Sequence, residues 1–586
     1  HQWKVPSKEE NARNGLPDTD WRDAQYDMLY LPVTETVRYH YDFNGNRTAT
    51  VLPDGRQINY LYYGSGHLHQ ISLDDEVITD IERDQLHREI YRTQGKLASR
   101  YELDPLGRLK RQIATLNDLT EGGKGKTKVA AGYGQTAVKR SYGYDRTGNL
   151  THSTDQRTGT TKFEYDKLGR ITQAGNELFA FDPAHNILSD GLNAIPDNRL
   201  KTYNGTTYYY DELGNLIHRE LADGEVQNYF YDLHDQLVKA EIFKKDGTKE
   251  TWSYTYDALG RRIGKGRLKD SQEVSDDLSN QTRFVWEGSH LLQEIHPDGR
   301  YTYIYTDPDS YEPLAQIRDW TTKDGKKRQQ THYFHCDQIG IPREMTDKDG
   351  NLLWFGNYTG WGRLKEETKV TDSAYQPFRL QNQYADHETG LHYNFFRYYE
   401  PDAGRFVNQD PIGLMGGDNF YHFAPNILKW IDALGWSRWT KTEVLGRRVY
   451  KNDTLFTPTR KVSWKDATSP TGYKCGTNLD RMCEGMAPIG KDGKSVELHH
   501  LTQQEVLRNG KRGSLAEVSW TIHTKYTAIL HIPFPRNPNK RSQTLPRFPS
   551  FRRNNDGTPS TLAAEFDNYR SAYWKERAKD FGRTCD

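Results

Sequence analysis

At 586 residues the chain is too long for one hydrophobic core, so at least two domains are expected. Its 80 basic and 80 acidic side chains balance, but residues 437–586 hold 27 Lys and Arg against 15 Asp and Glu, a net charge of +12. Residues 1–436 are correspondingly acidic, which argues against a polyanionic ligand there and favours one for the tail. The alternative interpretation is that the charges of the tail are solvated surface.

Cysteine usage and hydropathy exclude two further classes. Four cysteines are too few for a disulfide framework, and none forms the CxxC pair of a thiolate zinc site. No apolar run is long enough to span a membrane, and no secretory signal follows His1. Because the chain begins within a pattern and without Met, we expect it to be a piece of a longer protein.

Residues 39 to about 320 repeat one unit at a spacing near 21 residues, as between Gly148 and Gly169. Each unit alternates aromatic and polar residues and then turns at Asp-x-x-Gly, which predicts a β-hairpin. Stacked hairpins give one another the buried face that a single hairpin lacks. The Tyr-Asp pairs could instead bind sugar or metal, but hairpin formation is a sufficient reason for them. They include Tyr41-Asp42, Tyr144-Asp145, Tyr165-Asp166, Tyr210-Asp211 and Tyr256-Asp257.

Tyrosine is concentrated in the body, which holds 33 of the 38 tyrosines. Because the hydroxyl needs water or a hydrogen-bond partner, this favours a wide shell with a polar lining over a dry sandwich core. Residues 332–365 continue the array in a variant form that contains His332, His335 and Cys336. These three could suggest a metal, but no fourth ligand follows at a recognisable spacing, so strand packing is favoured.

The stretch Gln383–Ser437 separates the repeats from a chemically different tail. Its motifs resemble the Rhs-associated core of bacterial Rhs and YD-repeat toxins. This resemblance implies a mainly β fold in which YD-repeat hairpins of residues 1–330 spiral into a hollow cocoon, with the core at 331–436. The motifs that carry it include Arg397-Tyr398-Tyr399, Gly404-Arg405-Phe406, Asp410-Pro411-Ile412-Gly413-Leu414 and Asp432-Ala433-Leu434-Gly435-Trp436.

The resemblance also implies an intramolecular aspartyl protease that cuts between Trp436 and Ser437 and frees a toxin of residues 437–586. Two carboxylates brought together cannot both ionise easily, so one of Asp410 and Asp432 would act as an acid and the other as a base. From the residues alone, the simpler interpretation is that both aspartates cap turns.

Arg397 matches a family arginine that helps to hold the acidic site. The chain departs from the common pattern at Glu400, usually Asp, and at Ala433, usually Pro. Neither position supplies a proposed catalytic group. Ala433 could loosen the turn that presents the scissile bond.

Every histidine of residues 437–586 falls within 33 residues, a clustering that core packing explains poorly. Imidazole is the commonest ligand of transition metals. The four are His499, His500, His523 and His531. Because adjacent side chains of a strand point to opposite faces, one of His499 and His500 can hold a metal while the other faces a substrate.

Local patterns predict further elements in the tail. Lys491–Lys494 is typical of a hairpin turn, followed by a short strand at Val496–Leu498. The basic stretch from Ser437 to about Pro470 predicts an extended leader. Residues 515–523 predict the start of a helix or a structured loop, and Ser560–Phe581 has helical spacing.

Residues 478–535 resemble the LHH family of HNH/endonuclease VII toxins, through Gly490–Lys494, Glu497–His500, Gln503, Leu515–Glu517, His523 and Leu530-His531. The resemblance implies a small α+β domain with a ββα-metal core. In it, His499, His523 and His531 would hold a divalent ion, Mg or Zn, and His500 would be the general base. Glu497 would be a ligand or would support one. The ion would stabilise the phosphorane charge and the leaving 3′ oxygen.

No acidic residue occurs from Val518 to Asn555. This favours a surface that tracks nucleic-acid phosphates, although a disordered basic linker is the alternative. The predicted contacts are Arg536, Lys540, Arg541, Arg547, Arg552 and Arg553.

Together, the two resemblances imply an interbacterial or host-directed toxin whose C-terminal DNase leaves its cage by autoproteolysis. The expected partners are DNA, a cognate immunity protein and, through a missing N-terminal region, a spike or chaperone of secretion machinery. Secretion without a signal peptide, by a type VI system, and action in the target-cell cytoplasm are expected. Two alternatives stay open: an RNase or tRNase tip, and a YD-repeat carrier or adhesin without nuclease activity.

Overall fold

The computed structural model describes residues 35–43, 46–64, 66–116, 136–188, 195–268, 278–308, 310–371, 374–411, 419–432, 435, 440–453, 455–469, 472–500, 515–525 and 561–585. Within these ranges, antiparallel strands predominate and α-helices occur only after residue 477. The predicted mainly β architecture with a small mixed C-terminal part is therefore confirmed. No helix in the described ranges is long and apolar enough to cross a membrane.

Thirteen strands of the described chain form one antiparallel meander in sequence order. They are β1 Arg38–Tyr41, β2 Arg47–Val51, β3 Gln57–Tyr63, β4 His67–Leu73, β5 Glu76–Arg83, β6 Glu89–Gln94, β7 Leu97–Leu103, β8 Leu109–Leu116, β9 Thr136–Tyr144, β10 Leu150–Asp155, β11 Gly159–Tyr165, β12 Ile171–Ala174 and β13 Glu177–Leu178. A separate pair follows, β14 Ala180–Phe181 with β15 Ile187–Leu188, and then a 3-10 turn at Pro196–Asn198.

A second meander contains fifteen strands of the described residues, again in sequence order. They are β16 Thr202–Tyr203, β17 Thr206–Tyr210, β18 Leu216–Glu220, β19 Val226–Tyr231, β20 Leu237–Phe243, β21 Lys249–Tyr256, β22 Arg262–Leu268, β23 Leu278–Glu287, β24 His290–His296, β25 Gly299–Tyr305, β26 Pro313–Thr321, β27 Lys327–Cys336, β28 Pro342–Asp347, β29 Leu352–Tyr358 and β30 Leu364–Lys369. The variant segment 332–365 thus continues the array. His332, His335 and Cys336 are buried in β27, as strand packing requires.

The aspartate of the Asp-x-x-Gly motif closes the turn. One oxygen of Asp104 accepts hydrogen bonds from the backbone N–H groups of Leu106 and Arg108 at 2.9 Å, and the other accepts from Arg108 Nε at 2.7 Å. Asp166 makes the same bonds in a later unit. The turn glycine, Gly107, has φ +81°, which glycine adopts without steric penalty. Turn geometry therefore accounts for both residues, and the hairpin interpretation of the motif is confirmed.

A tyrosine at the end of several strands joins that strand to the start of the neighbouring strand. The hydroxyl of Tyr165 donates to the carbonyl of Leu150 at 2.8 Å, and Tyr256 bonds the carbonyl of Leu237 at 2.8 Å. Burial raises the pKa of Tyr165 far above its ordinary value, so the hydroxyl keeps the proton that it donates. The same bond is made by Tyr144, Tyr231, Tyr305 and Tyr358.

The second meander packs against the residues that follow it, named here the core segment, residues 374–435. The core segment contains β31 Tyr384–Ala385, β32 His392–Asn394, β33 Arg397–Glu400 and β34 Arg405–Phe406. The buried residues of this contact include Tyr208, Tyr229, Tyr254, Tyr303, Tyr393, Tyr399 and Phe423. In this part of the sheet the expected polar lining is mixed, because both tyrosine rings and buried ion pairs meet the core segment.

Buried ion pairs also attach the core segment to the second meander. Arg262 on β22 pairs with Asp386 at 2.5 Å, and Lys265 pairs with Glu388 at 2.9 Å. Arg219 on β18 pairs with Glu400, which departs from the resembled motif. Removing one partner of a buried pair costs about 3–5 kcal/mol, so these pairs fix the position of the core segment.

The residues from 440 to 585, named here the C-terminal unit, fold into sheets from their first residues. Its elements are β35 Thr440–Val444, β36 Arg447–Lys451, β37 Lys461–Lys465, β38 Tyr473–Thr477, α1 Asn478–Cys483, β39 Glu497–His500, β40 Leu515–Val518, α2 Trp520–Lys525 and α3 Thr561–Lys579. β35, β36, β40 and β39 form one sheet in that order, and β37 pairs with β38. The predicted extended leader is therefore wrong, and residues 515–518 form a strand rather than the start of a helix.

Helix α3 closes the core of the C-terminal unit and confirms the predicted final helix. Its Tyr573 and Trp574 are buried among residues of the sheet and of α1. Glu517 on β40 is fully buried and accepts hydrogen bonds from Tyr573 Oη at 2.7 Å and Arg577 Nε at 2.8 Å. The backbone N–H of Asn452 donates to the same carboxylate at 2.6 Å. One carboxylate thus connects β36, β40 and α3.

A disulfide between Cys483 and Cys585 connects the end of α1 to the residues after α3, across 102 positions of the sequence. Closing so long a loop restricts the unfolded chain, which stabilises the folded state by about 2–5 kcal/mol. We expect Cys483→Ser to lower the stability of the C-terminal unit by that amount, measured by hydrogen–deuterium exchange of peptides from α3. Cys475→Ser is the matched control, since Cys475 is exposed and unbonded. Equal exchange in the two variants would contradict a stabilising disulfide.

Candidate functional site

Asp410 and Asp432 meet at one buried arginine. Nη2 of Arg397 lies 3.3 Å from Oδ2 of Asp410 and 3.1 Å from Oδ2 of Asp432. Nη1 of Arg397 donates to the carbonyl of Phe420 at 3.1 Å, and its guanidinium lies 3.5 Å from the ring centre of Phe406. A cation between two carboxylates offsets their repulsion, so the pair can remain close together in a buried site. The structure thus brings all three predicted protease residues together.

The backbone after Asp432 runs through a tight space. Nδ2 of Asn394 donates to the carbonyl of Asp432 at 2.9 Å. Gly435 has φ +65°, and a Cβ there would lie 2.8 Å from the carbonyl oxygen of Asn394. Sequence analysis missed Asn394, because nothing local links it to a residue 38 positions later. The predicted cleavage site, Trp436–Ser437, lies outside the described residues.

We expect Gly435→Ala to slow the predicted self-cleavage by about 10²-fold, because displacing the backbone by about 1 Å can misplace the scissile bond. The measurement is the rate at which the full chain converts to two fragments on a denaturing gel. Gly446→Ala is the matched control, since Gly446 has a similar φ of +72° but nothing within 4 Å of its added Cβ. Equal rates for the two variants would show that the close approach at Gly435 does not matter.

His499 and His523 converge in the C-terminal unit. Nδ1 of His499, on β39, lies 3.1 Å from Nε2 of His523, on α2. Glu497 shares a face of β39 with His499 and pairs with Nδ1 of His523. His499 is 4% exposed, so the pair lies in a largely buried position.

This arrangement fits a divalent metal ion. Two imidazole nitrogens face one another, and a carboxylate holds the second nitrogen of one ring, which is a common second shell of metal-bound histidine. Glu497 contacts one of the two histidines, and its role as a ligand or as a support of one stays a prediction. No group of three metal-ligating side chains surrounds one point in the ranges that the structure describes. His531, the third predicted ligand, lies outside those ranges.

The turn before β39 fixes the helix that carries His523. Gly490 N–H donates to the carbonyl of Lys494 at 2.7 Å, which confirms the predicted turn. Oδ2 of Asp492 accepts from the backbone N–H and the hydroxyl of Thr521 at 3.1 and 3.0 Å. Because Thr521 lies two residues before His523, Asp492 orients that histidine. The sequence identified Asp492 only as a turn residue.

The remaining predicted site residues are outside what the structure describes. His500 ends β39, but its side chain is not among the described ones. The same holds for the predicted phosphate contacts, Arg536, Lys540, Arg541, Arg547, Arg552 and Arg553. Their roles stay predictions.

Three protein-family models match the chain. Residues 144–178 match the RHS repeat, and residues 331–368 match the RHS protein family. Residues 477–580 match a nuclease of the HNH/ENDO VII superfamily with conserved LHH. The chain is an Rhs-repeat protein with a C-terminal LHH nuclease domain. The converging His499 and His523 lie inside that LHH domain.

Curated relatives resemble the Rhs-repeat chain over most of its length. Double-stranded DNA deaminase toxin A of Burkholderia cenocepacia is 38% identical over 74% of this chain and 31% of its own length. Toxin protein Tse5 of Pseudomonas aeruginosa is 31% identical over 67% of this chain and 33% of its own. Probable deoxyribonuclease RhsB of Dickeya dadantii is 28% identical over 72% of this chain and 28% of its own length. The Rhs-repeat chain therefore spans about a third of the length of these relatives.

Proposed function

We propose that the chain is the toxin-bearing part of a secreted bacterial effector, and that its LHH domain is a metal-dependent DNA endonuclease. The observation that carries the proposal is the meeting of His499 Nδ1 and His523 Nε2 within the LHH match. His531 would complete the ligand set for Mg or Zn. A bound divalent ion would stabilise charge on the scissile phosphate and on the leaving 3′ oxygen.

In this proposal His500 is the general base. Since it follows His499 on β39, the two side chains leave the strand in opposite directions, which allows different roles. A neutral imidazole can take a proton from water near neutral pH. The basic side chains from Arg536 to Arg553 would hold the phosphates of DNA on either side of the cut.

We further propose that the LHH domain is released by cleavage between Trp436 and Ser437. Asp410 and Asp432 would act as the acid and the base on this bond, while Arg397 holds both carboxylates. The support is their contact with one arginine, and the position of Asp432 four residues before Trp436. Three functional parts follow: the cage of residues 1–330, the protease region 331–436 and the toxin 437–586.

The start of the toxin near residue 437 has independent support. Strand β36 pairs in parallel with β40, with Val449 opposite Leu515. Residues 440–451 therefore belong to the same sheet as β39, which carries His499. A cut much later in the chain would remove two strands from that sheet. We propose that the cage encloses this unit until delivery through secretion machinery, of the type VI class, that docks on an N-terminal region. The site of action would be the target-cell cytoplasm.

We expect a small acidic immunity protein, encoded beside the toxin, to bind residues 437–586. The net charge of +12 favours an acidic partner, because opposite fields speed association. Co-purification of the neighbouring gene product with the cleaved chain, and rescue of growth when both are expressed, would support this. A neighbouring product that neither binds nor protects would contradict it.

The substrate class is tested by incubating the self-cleaved chain, with its C-terminal unit released from the cage, with supercoiled plasmid and, in parallel, with total RNA. The proposal predicts nicked plasmid with Mg or Zn, and intact plasmid when EDTA is present. Cleavage of RNA alone would instead favour an RNase or tRNase tip. Cleavage of neither substrate would favour a YD-repeat carrier.

A further inference from the structure

A small apolar cluster spans the proposed cleavage site. Ile431 of the core segment packs with Tyr450, Ala516 and Val518 of the C-terminal unit, and all four are at most 5% exposed. Ile339, which follows β27, packs against the same cluster. The core segment and the LHH sheet are therefore in direct contact. This contact does not depend on the peptide bond between Trp436 and Ser437.

The strand register shows which face of the LHH sheet this contact covers. Ala516 pairs with His499 and Val518 pairs with Glu497 across the antiparallel β39–β40 ladder. Directly opposite residues of such a ladder lie on the same face of the sheet. Ile431 therefore packs on the face that carries His499 and Glu497.

The opposite face of the same sheet is already occupied. Leu498 pairs with Glu517, and both face α3: Leu498 is in the buried cluster with Tyr573, and Glu517 bonds the hydroxyl of Tyr573. The face that carries His499 and Glu497 is therefore the one that does not pack on α3. The core segment covers this face, through Ile431.

A charged side chain lies beside the apolar contact. Lys429, two residues before Ile431, is partly buried and donates to the carbonyl of Thr147 at 3.0 Å. Burial lowers the pKa of Lys429, while nearby carboxylates act in the opposite direction. Two of them, Asp453 and Asp580, belong to the C-terminal unit.

We propose that Ile431, Tyr450, Ala516 and Val518 form a masking contact. This contact holds the face of the LHH sheet that carries His499 against the core segment. Cleavage after Trp436 breaks one peptide bond but leaves this contact intact. The nuclease site is consequently exposed only when the C-terminal unit separates from the core segment. The proposal rests on the proposed nuclease function of His499 and His523, and it adds a second step to activation.

The test is the rate at which diethyl pyrocarbonate modifies His499 in the folded full chain, mapped by peptide mass spectrometry. His40 on β1 is exposed and serves as an internal reference. We expect His499 to react about tenfold more slowly than His40, and Ile431→Arg to remove most of this difference by opening the contact. Val370→Arg is the matched control, because Val370 is 54% exposed on the same side of the cleavage site.

A folded Ile431→Arg chain in which His499 reacts as slowly as in the wild type would overturn the proposal. If this variant does not fold, Ile431→Ala replaces it, with an expected increase of about threefold and the same contrary result. The modification needs neither metal nor DNA, so it is independent of catalysis. An Ile431→Arg chain in which His499 reacts faster but supercoiled plasmid stays intact would support the masking contact and refute the nuclease function.

Discussion

Asp432→Asn is expected to leave one full-length chain where the wild type yields two fragments, one of them residues 437–586. Asparagine keeps the shape of the side chain but can neither accept a proton as a base nor supply one as an acid, so both possible roles of Asp432 are lost. Asp410→Asn should behave in the same way, since the two carboxylates act as a pair around Arg397. The measurement is the intact mass of the purified protein after prolonged incubation.

The control for this prediction is Asp402→Asn. Asp402 lies in the same core segment but is half exposed, where it pairs with Arg363 at 2.6 Å. Its loss should not affect cleavage, because an exposed pair contributes at most about 1 kcal/mol. A folded wild-type chain that stays uncut, or an Asp432→Asn chain that is cut at the wild-type rate, would contradict the protease proposal.

His500→Ala is expected to slow plasmid nicking by about 10²–10⁴-fold while leaving metal binding intact, because a general base typically contributes that factor. His499→Ala should lose metal affinity as well, since Nδ1 of His499 faces Nε2 of His523. The wild-type rate should fall as the pH is lowered, because a protonated imidazole can no longer accept a proton. Plasmid nicking and calorimetric metal titration of both variants measure these effects.

Glu497→Gln tests whether Glu497 binds the metal directly or only supports His523. Since Glu497 pairs with Nδ1 of His523, its neutral analogue should weaken metal binding by about 10–100-fold without abolishing it. Loss as complete as in His499→Ala would make Glu497 a direct ligand. A His500→Ala variant that nicks as fast as wild type would refute the assignment of the base.

Local features of this fold could be predicted from the sequence because their causes are local. The turn at Asp104–Arg108 depends on contacts within five residues, and the sequence shows all of them. The turn at Gly490–Lys494 and helix α3 are of the same kind. Arg397, Asp410 and Asp432 were found by resemblance, since no periodicity places three residues 13 and 22 positions apart around one point.

Features that depend on distant residues could not be predicted. The bonds between Glu517 and Arg577, and between Asp492 and Thr521, join positions 60 and 29 residues apart. The predicted leader failed because its basic composition concealed a packed hairpin. Val449 in that hairpin is fully buried, and Arg447 is buried against the ring of Tyr569. A basic residue can thus belong to a core when its charged group is paired and the aliphatic part of its side chain is packed.

The decisive measurement is plasmid nicking by the self-cleaved chains of wild type, His499→Ala and His40→Ala, after mild urea has released the C-terminal unit from the core segment and has been removed. Each protein is treated with EDTA, dialysed, and assayed with and without added Mg or Zn. Nicking is expected from the wild type and from His40→Ala only after the metal is restored, and none is expected from His499→Ala. Metal-independent nicking, or a His499→Ala chain that nicks as fast as wild type, would contradict it.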